Sequence, residues 1–305
     1  MQITKIILVM LVTCFLWACK ANVQEQKGPR DPEFQTIATS KTIVFVHGMY
    51  LTPNSWDEWE THFQDLGFTT YSPAWPLHDL PVDEQNALHP NSELGTLTLP
   101  MLLQHYRDFI ATLEEPPILI GHSMGGLVVQ LLLEENSAAA GIVIHSAPPF
   151  GVISIEPKFL KASWPILNPA LNPSEPSKLT FKQFQYGFVN GMDLTIQQDA
   201  YAHYCVPDSL RVGRSSLTSA AKVDTSVSRA PLLIIAGGRD NTVTASTNYA
   251  NFRLYRKTPA ITDYKQFPDR NHWTLKQDGW QAVADYTANW IEENTDDAAG
   301  LSPTE

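Results

Sequence analysis

The stretch Pro117-Ile118-Leu119-Ile120-Gly121-His122-Ser123-Met124-Gly125-Gly126 constrains this chain more than any other. An apolar run with the length of a strand meets a serine bracketed by glycines two places away on each side, and Gly125 to Glu135 then reads as a helix. An unbroken apolar run of this kind suits a strand covered on both faces of a sheet. Where such a strand turns sharply into a helix, the backbone passes close to itself and glycine is needed around the turn. The bare G-x-S-x-G pattern arises by chance roughly 0.1 times in a chain of this length, so the strand before it and the helix after it carry the inference. A mostly parallel sheet with helices on both faces follows only if the rest of the chain repeats the rhythm.

It does from Lys41 onward. Thr42 to Val46 is a second buried-strand run, and Ser55 with Glu58 forms a capping-box pattern ahead of Trp56, Trp59, Phe63 and Leu66 at helical spacing, up to Gly67. Thr69 to Ser72 reads as a short strand, and Pro73 to Gly95, with four prolines and no period, as a loop. Thr98 caps a helix with Pro100 in its first turn and Leu102, Tyr106, Phe109 and Leu113 on one face. Further strands are expected at Ile142–Ile144, Pro231–Ala236 and Tyr264–Phe267, and a last helix carries Trp280, Val283, Thr287 and Trp290. This is the α/β pattern. Between Ser146 and Ala230 it stops for about 80 residues, far beyond an ordinary loop of ~4 to 6. That segment is rich in proline first and aromatics later, so it is expected to fold as a cap inserted between two strands. The expected organisation is a core of residues 41–147 and 229–293, a cap over 148–228 and a polar tail over 294–305.

Charge and cysteines narrow the function. With 21 Lys+Arg against 32 Asp+Glu the net charge is -11, which works against nucleic acid as a partner. Three cysteines, Cys14, Cys19 and Cys205, exclude a disulfide scaffold, and Cys205, between Tyr204 and Val206, is expected to be buried. Lys5 precedes the twelve-residue apolar run Ile6–Trp17, too short for the roughly 20 residues that span a bilayer and matched to a signal peptide. It ends in Leu16-Trp17-Ala18-Cys19, which resembles the lipobox of bacterial lipoproteins, although Trp17 is bulkier than the residue usual there. Leu11-Val12-Thr13-Cys14 is a weaker second match. Residues 1–18 then read as a signal peptide, Cys19 as the lipidated residue, and 19–40 as a tether reaching roughly 25 Å. The location this implies is the bacterial cell envelope, at the outer membrane or periplasmic face. An ordinary secretory signal with an incidental cysteine is the alternative.

A serine hydroxyl becomes a useful nucleophile when a histidine takes its proton and a carboxylate orients that histidine. In a sheet of this kind the chain order is serine, acid, histidine. Of nine histidines only His272 follows the last strand, while His47, His122 and His145 sit at strand ends. Asp240 leaves the strand at 231–236 through Gly237-Gly238-Arg239, on the serine's edge of the sheet. Asp224 lies at the opposite edge, and an Arg239-Asp240 surface turn is the competing reading. Two N–H donors for a developing oxyanion are expected from Met124, after the serine, and Met49, in the loop after the first strand.

His47-Gly48, the Gly121–Gly126 segment, Gly238-Arg239-Asp240 and Asn271-His272 together resemble the α/β-hydrolase superfamily over residues 41 to 293, in its capped, carboxylesterase-like or lysophospholipase-like bacterial members. The resemblance implies a triad of Ser123, Asp240 and His272, no cofactor and no metal, and a small-molecule ester as substrate. A lactonase, amidase or perhydrolase would share that triad, and a non-catalytic binding lipoprotein is a reading of a different class. The early antiparallel strands of larger members have no room before Lys41. Trp164, Phe181 and Phe184 are the cap residues expected to wall an apolar acyl pocket.

Overall fold

A computed structural model describes residues 23–29, 40–258 and 260–295. The strands among them are β1 (Glu25–Gln26), β2 (Thr42–Val46), β3 (Thr69–Tyr71), β4 (Ile118–His122), β5 (Ala140–Ile144), β6 (Pro176–Ser177), β7 (Asp208–Ser209), β8 (Leu232–Gly237) and β9 (Thr262–Phe267). Seven of them form one sheet in the order β1-β9-β8-β5-β4-β2-β3, parallel except for β1, while β6 and β7 make a small antiparallel pair of their own. The register sets Val44 opposite Leu119 and Val46 opposite Gly121, so β2 and β4 end together.

The helices are α1 (Asp57–Asp65), α2 (Val82–Ala87), α3 (Leu99–Ile110), α4 (Met124–Leu133), α5 (Pro157–Leu167), α6 (Phe181–Gly187), α7 (Leu194–Tyr204), α8 (Leu210–Arg214), α9 (Ala245–Leu254) and α10 (Gln281–Thr295). Successive strand residues point to opposite faces, and β2 shows the result. Ile43 and Phe45 pack with Trp56, Trp59, Phe63 and Trp290 from α10 and the segment around α1, whereas Val44 and Val46 pack with Leu102, Tyr106 and Leu127 from α3 and α4. Each such fully buried aliphatic side chain contributes roughly 1.5 to 3 kcal/mol. Helix α4 is buried on every side, as expected of a helix apolar all round, and this fixes the start of that helix, where Ser123 sits.

Several expectations need correction. Ser55 caps nothing: its hydroxyl donates to the Thr52 carbonyl within a 3-10 turn over Pro53–Trp56. Leu66 is exposed, not on the packed face. The 73–95 segment holds α2, where Gln85 Nε2 donates to the carbonyls of His78 and Leu80. Helix α9 was not legible because its buried face is largely polar, with Thr247, Asn248 and Asn251 beside Phe252. Nor is the tether a uniform coil, since β1 pairs with β9. Cys205 is buried as expected, and burial pushes its thiol up to about 12. Residues 1–22, with Cys19 and the apolar run, and the tail from 296 lie outside the described residues. Among the described residues no helix is long and apolar enough to cross a membrane.

Candidate active site

Strands β2, β4, β8 and β9 deliver Gly48, Ser123, Asp240 and His272 to the same carboxyl edge of the sheet. Ser123 occupies the turn between β4 and α4 at φ 54°, ψ -119°, a conformation that costs a non-glycine residue energy and has to be imposed by its surroundings. Here its N–H donates to Ile144 O at 3.0 Å and its carbonyl accepts from Ala147 N at 2.8 Å. A Cβ on Gly121 would fall 2.3 Å from Gly125 O, and one on Gly125 would fall 2.1 Å from Val46 O. Backbone stands at both places, so the two glycines of the motif are sterically required.

His272 Nε2 lies 3.0 Å from Ser123 Oγ, and its Nδ1 lies 2.7 Å from Asp240 Oδ2. The other carboxylate oxygen accepts the N–H groups of Thr242 at 2.7 Å and Val243 at 2.9 Å. Burial by itself would raise the Asp240 pKa, but His272 and His145 beside it outweigh that and hold the carboxyl well below the usual carboxylate range. An ionised Asp240 keeps the proton of His272 on Nδ1, which leaves Nε2 free to accept from the serine.

Two further histidines surround this relay. His122 donates from Nε2 to the His272 carbonyl at 2.9 Å, and burial, with His272 and His145 nearby, holds its pKa well below the ordinary value. His145, at φ 51°, has Nδ1 3.0 Å from Asp240 Oδ2 but off the line a hydrogen bond needs. Ring nitrogens of His122, His145 and His272 come within 4.8 Å of one another, a spacing suited to a metal. Both nitrogens of His272 are committed to Asp240 and Ser123, however, and Nε2 of His122 to a carbonyl. The trio therefore does not present three free donors.

Met49 and Met124 stand on either side of Ser123, both buried against the cavity described below. Neither N–H has an acceptor among the described residues. A Cβ on Gly48 would lie 2.9 Å from Ser123 Cβ, so the loop after β2 touches the serine. That loop is fixed by residues the sequence reading did not pick out. Tyr50, at φ 64°, donates its N–H to Asp208 Oδ2 at 2.9 Å, and its carbonyl accepts from Val206 N at 3.0 Å. Asp208 is fully buried, with His78 Nε2 at 3.6 Å. Burial pulls the His78 pKa down, and the Asp208 carboxylate more than reverses this. Asp208 falls in an irregular part of the insertion, where no spacing marks it.

A cavity of about 230 Å³ opens above the serine, walled by Met49 and Met124 from the sheet edge and by Phe159, Ile166, Leu179 and Phe188 from the insertion. The three aromatic residues expected as its walls are elsewhere. Helix α5 turns Phe159, Ala162, Ser163 and Ile166 inward, which leaves Trp164 on the outer side, 56% exposed. Phe181 packs edge-on against Tyr201, and Phe184 lies behind the wall, stacked at 4.8 Å on Phe188. Phe188 in turn presents its ring edge-on to His272 at 4.8 Å.

The profile of the Alpha/beta hydrolase family matches residues 43–286. The chain belongs to that family. Solved structures superpose on it at low identity. Polyneuridine aldehyde esterase has a TM-score of 0.60 at 17% identity, covering 83% of this chain and 99% of its own. A monoacylglycerol lipase from Paleococcus ferrophilus gives 0.59 at 16%, covering 88% and 98%. A pyrethroid hydrolase from Sphingobium faniae gives 0.58 at 15%, covering 83% and 98%. At these identities the likeness establishes the fold alone. No curated protein sequence matches the chain.

Proposed function

We propose that this α/β-hydrolase-family protein is a serine hydrolase that cleaves carboxylic esters through an acyl-enzyme. The observation that carries the reading is the relay from Ser123 through His272 to Asp240, opening into an apolar cavity. Ser123 Oγ attacks the ester carbonyl carbon while His272 Nε2 takes its proton, and the N–H groups of Met49 and Met124 receive the negative charge that builds on the carbonyl oxygen. As the C–O bond to the alcohol breaks, His272 returns the proton to the leaving oxygen. Water then attacks the acyl carbon, giving a proton to His272, and the acid departs as Ser123 Oγ is reprotonated. Ionised Asp240 stabilises the imidazolium formed in both halves.

The lining supports a small to medium apolar acyl group. Three proteins of the same fold are an esterase, a lipase and a pyrethroid hydrolase by name, which agrees with ester chemistry. A lactone, an amide or a peroxide acceptor would use the same relay, and a non-catalytic receptor would have no need of it. We further propose lipidation at Cys19 and a place in the bacterial envelope, on the strength of the lipobox-like segment.

The test is turnover of p-nitrophenyl esters of graded acyl length, beside lactones and anilides, by the wild-type chain and Ser123→Ala. Ester turnover by the former and its loss in the latter are expected. Absence of turnover on all three classes, or Ser123→Ala within tenfold of wild type, contradicts the reading.

A further inference from the structure

The mouth of the cavity is apolar on its outside as well. Ile153, Leu160 and Leu217 line the cavity and are 84%, 46% and 62% exposed. Two residues on, Ile155 is 82% exposed, and Trp164 lies one turn along α5 from Leu160 on its outer side. Removing this rim from water favours almost any apolar contact, so its charge decides what it fits. Helix α5 carries Lys158 and Lys161 among Leu160 and Trp164, and Glu156 ahead of it is hydrogen-bonded to Thr244 and Ser246, in a chain of net charge -11. Apolar side chains interleaved with lysine suit a bilayer surface with anionic headgroups.

The path of the chain gives a second and independent observation. Strand β1 runs antiparallel to β9, with Glu25 opposite Lys265 and Gln24 O accepting from Gln266 N at 2.7 Å. Going back along the chain from Gln26 therefore leads to the carboxyl edge of the sheet, where Ser123 and the insertion lie. The strand is held by ion pairs of Lys265 with Glu25 at 2.7 Å and of Lys27 with Glu293 at 2.8 Å. Cys19 stands four residues before Val23, a distance of at most about 14 Å at full extension. In the strand order β1 is four steps from β4, about 19 Å across the sheet. Any membrane attachment through Cys19 or the apolar run before it thus holds the catalytic edge, not the opposite one, against the bilayer.

We infer that the rim formed by Ile153, Ile155, Leu160, Trp164 and Leu217 docks on the lipid bilayer, so that the cavity opens into the headgroup region and draws apolar acyl esters from the membrane. The substrate half of this inference rests on the ester-hydrolase reading; the docking does not.

The experiment reconstitutes the full chain on vesicles of phosphatidylethanolamine and phosphatidylglycerol containing a doxyl-labelled phospholipid. A fluorophore is attached at Ile155→Cys on the rim or at Glu114→Cys on the opposite edge, with the wild-type chain labelled in parallel as background. Several-fold stronger quenching at 155 than at 114 is expected. In a second arm, Ile155→Ser combined with Trp164→Ser, neither of which lines the cavity, lowers hydrolysis of a vesicle-borne long-chain ester at least tenfold while leaving soluble p-nitrophenyl butyrate unchanged. Equal quenching at the two sites, stronger quenching at 114, or an unchanged ratio of vesicle to soluble activity overturns the inference. So does a change at 155 that follows protein concentration without vesicles, which assigns the rim to a second copy. If no ester is turned over at all, the hydrolase reading falls with the substrate half, and the quenching still decides the docking.

Discussion

The carboxyl edge of the sheet and the insertion above it are built in opposite ways. At the edge Ser123, Asp240 and His272 are buried, the contacts of their relay span 2.7 to 3.0 Å, and the backbone is held at positive φ for Tyr50, Ser123 and His145. The insertion has short helices, one two-residue strand pair and several large apolar side chains in solvent. Strain of this kind survives only where the surroundings over-determine it, and the fully buried β4, α4 and β5 supply them. The relay is thus held by the part of the molecule least free to move, and the insertion, which walls the cavity, bears on that edge at a few points, among them Asp208 under the Tyr50 N–H and Phe188 against the His272 ring.

Substitutions on the two sides should differ in size of effect. The largest effect is expected from Ser123→Ala or His272→Ala, which should lower kcat by about three to six orders of magnitude with the melting temperature little changed. Steady-state kinetics beside thermal denaturation checks this. Gly48→Ala comes next. Its Cβ would meet Ser123 Cβ at 2.9 Å, so the loop carrying the Met49 N–H must shift, and a misplacement of about 1 Å costs on the order of a hundredfold in kcat. If kcat stays within threefold, Met49 is not a donor to the oxyanion.

A third prediction concerns pH. Burial first, with neighbouring histidines adding to it, holds His47 and His122 well below their ordinary value of 6.5, and burial lowers His145 against the opposing pull of Asp240. For these three the unfolded chain binds more protons than the folded one below pH 6.5, so stability is lost as pH falls through that range. Each contributes up to about 1.4 kcal/mol per pH unit. His78, raised by Asp208, and Glu134, raised by burial to about 7, work in the opposite direction and are outnumbered by the three histidines. Urea denaturation at pH 7, 6 and 5 should therefore show falling stability, with a shallower slope in His122→Asn, and a stability that rises toward pH 5 contradicts it.

The smallest effect belongs to the insertion. Phe159→Ala enlarges the cavity and should alter the gain in kcat/KM per added acyl methylene, about 0.8 kcal/mol or fourfold at most. Trp164→Ala should leave that selectivity as it is, because the ring faces out of the cavity. A graded series of soluble esters distinguishes the two. Selectivity that moves with Trp164 and not with Phe159 would reverse the assignment of the wall.

The same division decides how much could be read without coordinates. Strands covered on both faces announce themselves as apolar runs, and Ser123, Asp240 and His272 follow from where those runs end. The insertion has no such period. Aromatic content pointed to Trp164, Phe181 and Phe184, but in a short helix the face that meets the cavity depends on how α5 docks, and the wall is Phe159 and Ile166 instead. Asp208 acts through a bond to a backbone N–H 158 residues earlier, which leaves no local signature. Helix α9 and strand β1 escaped notice for a related reason: one buries polar side chains, and the other is two residues long and gains its order from β9.

Whether Ser123 is a nucleophile activated by His272 is decided by covalent labelling. The native chain is incubated with a fluorophosphonate, whose phosphorus bonds to an activated serine oxygen as fluoride leaves, and the product is mapped by peptide mass spectrometry. One adduct per chain, on the peptide containing Ser123, formed in step with loss of ester hydrolysis and abolished in Ser123→Ala, is the result expected. An unmodified native chain, or an adduct on another residue with turnover intact, contradicts the claim.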